Sequence, residues 1–122
     1  MLKDSLYKII LSEHQDGIIT AILELDKEHA IFSGHFPGRP VLPGACMLQM
    51  VKEVLETELD IPLRLAKAAQ VKFLELTDPR VNNVVELTIN YEHSVDKTMN
   101  VSAVLAVKAV ICFKFQGNFI TI

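Results

Sequence analysis

An α+β domain, with one long helix set among the strands of a mainly antiparallel sheet, is the fold class this sequence predicts. Three observations carry that expectation. Residues 44–59 place apolar side chains at helical spacing, and about five or six other segments are rich in β-branched and aliphatic residues and end in turn signals. No repeat, linker or low-complexity stretch divides the 122 residues, so one domain is expected over 1–122.

Each element has its own warrant. Leu6 to Glu13 and Gly17 to Leu25 read as an opening hairpin turned by Gln15-Asp16-Gly17. From Asp26 to Pro43 the character changes, and HAIFSGHFPGRPVLPGA packs prolines and glycines into a short span. Such punctuation fixes backbone shape, because proline locks φ and glycine opens conformations closed to other residues. The helix expected over Gly44 to Leu59 has Met47, Leu48, Val51, Val54, Leu55 and Leu59 on one side. Lys52, Glu53, Glu56 and Glu58 are read as its solvated face, with Lys52 and Glu56 spaced to pair. Its first turn, Ala45 to Leu48, carries no charge, so this end should start in the interior under a cover. Strands follow over Leu63 to Leu76, Val84 to Val95 and Asn100 to Phe115, the last with a reversal near Val107 to Ala109. Thr77-Asp78-Pro79-Arg80 and Asp96-Lys97 supply the turns between them.

Composition excludes several function classes. Half of the residues are hydrophobic and 22% are charged, which suits a sizeable buried core rather than a disordered segment. A formal net charge of -3 argues against a surface that tracks nucleic-acid phosphates. Cys46 and Cys112 are too few for a disulfide framework and too far apart for a redox or zinc pair, so both are read as buried thiols. MLKDSLYKII has charges within it and no apolar run of signal-peptide type, and no stretch nears the ~20 apolar residues of a bilayer span. A cytoplasmic protein with no membrane partner is expected. In VSAVLAV, residues 101, 103 and 105 would face one side and 102, 104 and 106 the other, both largely apolar. One helix covers only one face, so the other face or an edge is expected to meet a second subunit.

The chemistry concentrates in His35-Phe36-Pro37-Gly38-Arg39-Pro40-Val41-Leu42-Pro43-Gly44. A histidine, two Pro-Gly steps and then a buried helix place a titratable ring beside a helix amino terminus, where unpaired N–H groups point outward. A general base next to an N–H pair suits proton removal beside a carbonyl, since the amides hold the oxygen that becomes an enolate. His14, His29 and His93 sit near turns without ligand-spaced partners and read as solvated loop residues, so no metal site is expected.

This run closely resembles the HFPGxPxxPG signature of the β-hydroxyacyl-(acyl carrier protein) dehydratases of type II fatty-acid synthesis, and Phe32-Ser33-Gly34 resembles that family's approach to its histidine. The resemblance implies a hot-dog fold, an antiparallel sheet wrapped around one long central helix, with an amino terminus shorter than in larger members. It implies pairing of subunits edge to edge, as a homodimer or a dimer-based oligomer, with active sites at the interface. It implies His35 as the catalytic histidine and the Gly44 and Ala45 amides as donors to the thioester carbonyl, with Phe36 and Pro43 among the substrate-binding positions. Acyl carrier protein is the implied partner, with Arg39 a candidate contact to its acidic surface, and no cofactor is implied.

One position departs from the pattern. The family's acidic residue, five positions after the last glycine, falls here on Gln49. An amide cannot lend a proton at neutral pH and can only orient a hydroxyl or a water. Either His35 both removes the α-proton and returns it to the leaving oxygen, with Gln49 as positioner, or the chain binds acyl thioesters without dehydrating them efficiently. Dehydration of a 3-hydroxyacyl thioester is the favoured reading, because the whole scaffold from His35 to Gly44 is intact. The alternatives are a hot-dog thioesterase, which would need a carboxylate or an activated water near the thioester carbon and finds no acidic residue in the helix's first two turns, and a non-catalytic subunit whose partner supplies the acid.

Overall fold

A computed structural model describes residues 1–33 and 40–122. In chain order the elements are β1 (Tyr7–Gln15), β2 (Ile18–Leu25), a 3-10 turn (Ala30–Phe32), α1 (Gly44–Leu59), β3 (Leu63–Phe73), β4 (Val84–His93), β5 (Thr98–Val107) and β6 (Val110–Thr121). The strands form one six-stranded sheet in the order β1-β2-β4-β5-β6-β3. Every neighbouring pair is antiparallel.

The three hairpins are turned by residues with positive φ. Asp16-Gly17, Asp96-Lys97 and Lys108-Ala109 all occupy that region, the geometry that matches the right-handed twist of paired strands. The third turn divides the segment expected over Asn100 to Phe115 into β5 and β6. The strand expected over Leu63 to Leu76 ends at Phe73. Phe73 still faces Phe113, but beyond it the Leu74 and Glu75 amides both reach the single Cys112 carbonyl, at 2.8 and 3.4 Å, so the residue-for-residue ladder stops there although β6 runs on to Val110.

The inner face of the sheet packs on α1. Ile19, Leu23, Leu87, Ile89, Leu105 and Phe113 are buried with Met50, Val51, Val54 and Leu55 of the helix. Alternation is strict in β5, where Val101, Ala103 and Leu105 are buried, Ser102 is exposed, and Val104 and Ala106 are half-buried. The second apolar set is therefore only partly covered by the chain itself. Asp60 closes the helix in the left-handed region usually given to glycine. Cys46 and Cys112 are both buried free thiols.

β3 is an edge strand. It pairs with β6 on one side only, and residues 66–73 are all exposed. Gly117 lets β6 lie close to it: a Cβ there would sit 2.2 Å from the Lys67 carbonyl oxygen and 3.2 Å from the Ala68 Cα.

Candidate active site at the opening of the central helix

Pro43 is the N-cap of α1, with φ -65° and ψ 146°, and no side chain caps the helix. The Pro43 carbonyl accepts the Cys46 amide at 3.0 Å and the Met47 amide at 3.2 Å. The first N–H groups of a helix have no intrahelical acceptor, and among the described residues none is seen for those of Gly44 and Ala45. Ala45 is exposed and Gly44 half-buried. The uncharged first turn was expected to begin under a cover. Instead Cys46 and Met47 are buried while Ala45 is open.

Two contacts hold this end in place. The Leu42 amide donates to the Thr77 carbonyl at 2.8 Å, which fixes the approach to the helix on the turn after β3. The Phe73 ring lies where a side chain at position 44 would go, with Cε1 only 2.4 Å from an ideal Cβ. Glycine at 44 thus allows an aromatic ring of the edge strand to pack against the helix start.

Ala45, Gln49 and Glu53 follow one another at intervals of four and share a stripe of α1. Gln49 is half-buried, and its Nε2 donates to Glu53 Oε2 at 2.9 Å. Glu53 was expected on the solvated face and is fully buried. Its Oε2 also accepts the Leu2 amide at 2.9 Å, while Oε1 accepts the Lys3 amide at 2.8 Å and the Tyr7 hydroxyl at 2.9 Å. Burial pushes the Glu53 carboxyl up, but the donors Leu2, Gln49, Tyr7 and Lys3 together outweigh it and hold the group below its ordinary value. Burial, then the charge and hydrogen bond of Glu53, push Tyr7 up, and burial followed by the Glu53 charge raises Cys46. The available signal was position: Glu53 stands three residues after Met50 and seven after Cys46, within the apolar stripe. The other helix acids behave as polar-face residues. Lys52 pairs with Glu56 at 3.2 Å, and Glu58 accepts the Ser12 hydroxyl at 3.3 Å.

Of the residues assigned to the site from sequence, Pro43, Gly44, Ala45 and Gln49 come together at the opening of α1. His35, Phe36 and Arg39 lie outside the described residues. The other histidines are not all in loops as expected. His14 is in β1 and bonded to the Tyr91 hydroxyl, and His93 is in β4 with its ring edge-on to Tyr91 at 5.8 Å. Only His29 caps a turn, accepting the Ile31 amide at 3.1 Å. Among the described residues no group of three or more His, Cys, Asp or Glu side chains could hold a metal ion. A surface cleft of about 640 Å³, bounded by Tyr7, Lys8, Glu24 and Asn83, does not reach the helix opening.

The family model described as ApeI-like, ApeI dehydratase, matches residues 11–112. This chain belongs to the ApeI-like dehydratase family. A 3-hydroxyacyl-[acyl-carrier-protein] dehydratase, FabZ, of Novosphingobium aromaticivorans is 28% identical over 105 residues, covering 85% of this chain and 64% of the relative. The chain therefore spans a little under two thirds of that curated relative. Among solved structures, the dehydratase heterocomplex ApeI:P from Xenorhabdus doucetiae matches with a TM-score of 0.74 at 23% identity, over 92% of this chain and 96% of that one. A hypothetical thioesterase with coenzyme A from Streptococcus pneumoniae TIGR4 matches with a TM-score of 0.70 at 9% identity, over 98% and 90%. These likenesses establish the hot-dog fold. They say nothing of substrate, since dehydratase and thioesterase both appear on the same scaffold. Among the described residues, no helix of this ApeI-like chain is long and apolar enough to cross a membrane.

Proposed function

We propose that this chain removes water from a 3-hydroxyacyl thioester on acyl carrier protein, giving the trans-2-enoyl thioester, in cytoplasmic fatty-acid or related lipid synthesis. The observation that carries the reading is the pair of amides at Gly44 and Ala45 with no acceptor among the described residues, opening an apolar helix directly after the His35 motif in a dehydratase-family chain.

His35 takes the α-proton, and the bond between α-carbon and hydrogen becomes the new double bond. The Gly44 and Ala45 amides hold the thioester oxygen while it carries the enolate charge. The β-carbon to oxygen bond then breaks, and the imidazolium of His35 returns its proton to the departing hydroxyl as water. Phe36 and Pro43 bound the substrate beside the amides. Gln49 orients the hydroxyl without supplying a proton, so one imidazole serves as base and then as acid. Removal of a general acid generally costs ~10²–10⁴-fold in rate, and turnover slower than that of a carboxylate-bearing enzyme is expected.

The exposed edge of β3 supports a paired assembly, because an unpaired strand edge of eleven residues is a template for another chain. A homodimer joined there brings two helix openings to one interface, and Arg39 offers a cation to the acidic carrier protein. A second reading has its own support in the glutamine at position 49. A chain lacking the acid could act with a complementary hot-dog subunit, and the ApeI:P neighbour is itself a heterocomplex.

The test follows loss of water from 3-hydroxyacyl carrier protein by mass spectrometry for the parent, His35→Ala and Gln49→Glu. The parent and Gln49→Glu should dehydrate, the latter at least as fast, and His35→Ala should be inactive. An inert parent beside an active Gln49→Glu would favour the partner-dependent reading, and full activity in His35→Ala would remove the proposed site.

A further inference from the structure

The buried carboxylate of Glu53 has no part in the steps above, yet it holds the residue that does. An ionised carboxylate only accepts hydrogen bonds. Gln49 can therefore meet Glu53 with its NH₂ edge alone, since its carbonyl oxygen would face two oxygens and a negative charge. The 2.9 Å contact from Nε2 to Oε2 thus fixes which way round the Gln49 amide sits. Glu53 cannot easily yield, because Leu2, Lys3 and Tyr7 hold both of its oxygens and it is fully buried.

We propose that Glu53 is a positioning residue that locks the Gln49 amide with Oε1 as its ligand-facing edge, making this site selective for substrates with a hydrogen-bond donor at the 3-position. The proposal rests on the reading of the helix opening as the acyl-thioester site and adds a specificity rule to it. A 3-hydroxyl can donate to Oε1, whereas a 3-oxo group has only lone pairs and would set one acceptor against another. The stripe order supports the assignment: Ala45 is open, Gln49 one turn further is half-buried, and Glu53 one turn beyond that is sealed. The ligand thus meets Gln49 and never Glu53. In Glu53→Gln one edge of the new amide must be NH₂; with the oxygen kept on Lys3 and Tyr7, the NH₂ takes the place of Oε2, where it forfeits the Leu2 amide and faces Gln49. Gln49 would then flip and present a donor to the ligand.

Two measurements test this and separate it from the proposed reaction. The first is side-chain amide NMR, with the Gln49 signals assigned by their loss in Gln49→Ala. One Nε2 proton in the parent should be shifted downfield and exchange slowly, and this should vanish in folded Glu53→Gln. Averaged, unshifted Gln49 protons in the parent would overturn the lock whether or not the protein is an enzyme. The second is calorimetric binding of 3-hydroxyoctanoyl-pantetheine and 3-oxooctanoyl-pantetheine. The parent should prefer the hydroxy compound by about tenfold, a discrimination typical of one directed hydrogen bond, and Glu53→Gln should lose or reverse that preference. Tyr7→Phe, which removes a Glu53 contact without touching Gln49, should keep the preference. Equal binding of the two compounds by a parent with the lock intact would overturn the specificity claim. So would equal damage by Tyr7→Phe and Glu53→Gln. Binding of neither compound beside an intact lock would overturn the acyl-thioester reading and the specificity rule together, leaving only the lock.

Discussion

The Phe73 ring of β3 occupies the space that a side chain at Gly44 would need, so the edge strand and the opening turn of the helix fit together through the absence of one methyl group. Phe73 also packs on Phe113, with ring centroids 5.4 Å apart, but it is 58% exposed and can swing outward. Gly44→Ala should therefore cost less than about 1 kcal/mol in stability, because ring displacement is partly offset by the better helix propensity of alanine. Turnover should fall well beyond that modest change, since the displaced ring and the new methyl both crowd the two amides. Urea denaturation beside the dehydration assay checks the pair, and an unchanged rate would remove Gly44 from the substrate path.

Gly117 should behave in the opposite way. There the added Cβ meets backbone, the Lys67 carbonyl at 2.2 Å, which cannot rotate aside. Gly117→Ala should cost about 2 kcal/mol or more by forcing β3 away from β6. If β3 is the pairing edge, the variant should also dissociate at a higher protein concentration than the parent, as light scattering would show.

Glu53 gathers four hydrogen bonds in the interior, and its replacement by an apolar residue would strand buried donors. Glu53→Leu should destabilise by about 3 kcal/mol or more, whereas Tyr7→Phe, which deletes one hydrogen bond to a charged acceptor, should cost about 1.5–3 kcal/mol. Denaturant midpoints would give this order, and a Glu53→Leu variant as stable as the parent would contradict it.

The pH dependence follows from the same cluster. Glu53 is held below its ordinary value in the folded chain, so its contribution is fully present above the unfolded pKa of about 4.3 and is lost as pH falls through the lower folded value. Tyr7 is raised, so its contribution is complete below the unfolded value of about 10 and is lost as pH rises above it. Thermal unfolding from pH 7 down to pH 3 should show a decline that is shallower in Glu53→Gln. Identical curves for the two proteins would rule out Glu53 as the source.

Cys46 should be inert as a thiol. It is buried, and burial followed by the Glu53 charge raises its pKa, so little of the nucleophilic thiolate exists at neutral pH. A thiol reagent should leave it unmodified in the native protein and label it fully in denaturant. Rapid native labelling assigned to Cys46 by mass spectrometry would show an open helix face.

Local pattern carried much of this protein. The bounds of α1 were legible as Gly44 to Leu59 because the Pro43-Gly44 step and the 3.6-residue period are properties of adjacent residues, and Asp16-Gly17 and Asp96-Lys97 announced their turns for the same reason. The motif from His35 to Gly44 likewise pointed to the dehydratase family without any coordinates. Only tertiary structure could decide the environment of Glu53, since the Leu2 and Lys3 amides that solvate it come from about fifty residues away and make a buried charge tolerable. It also decided where β3 ends and why a glycine fits at position 44, because both depend on which strand lies alongside. Adjacent residues fix backbone preference, whereas the fate of a charge or a cavity is settled by what the rest of the chain brings to it.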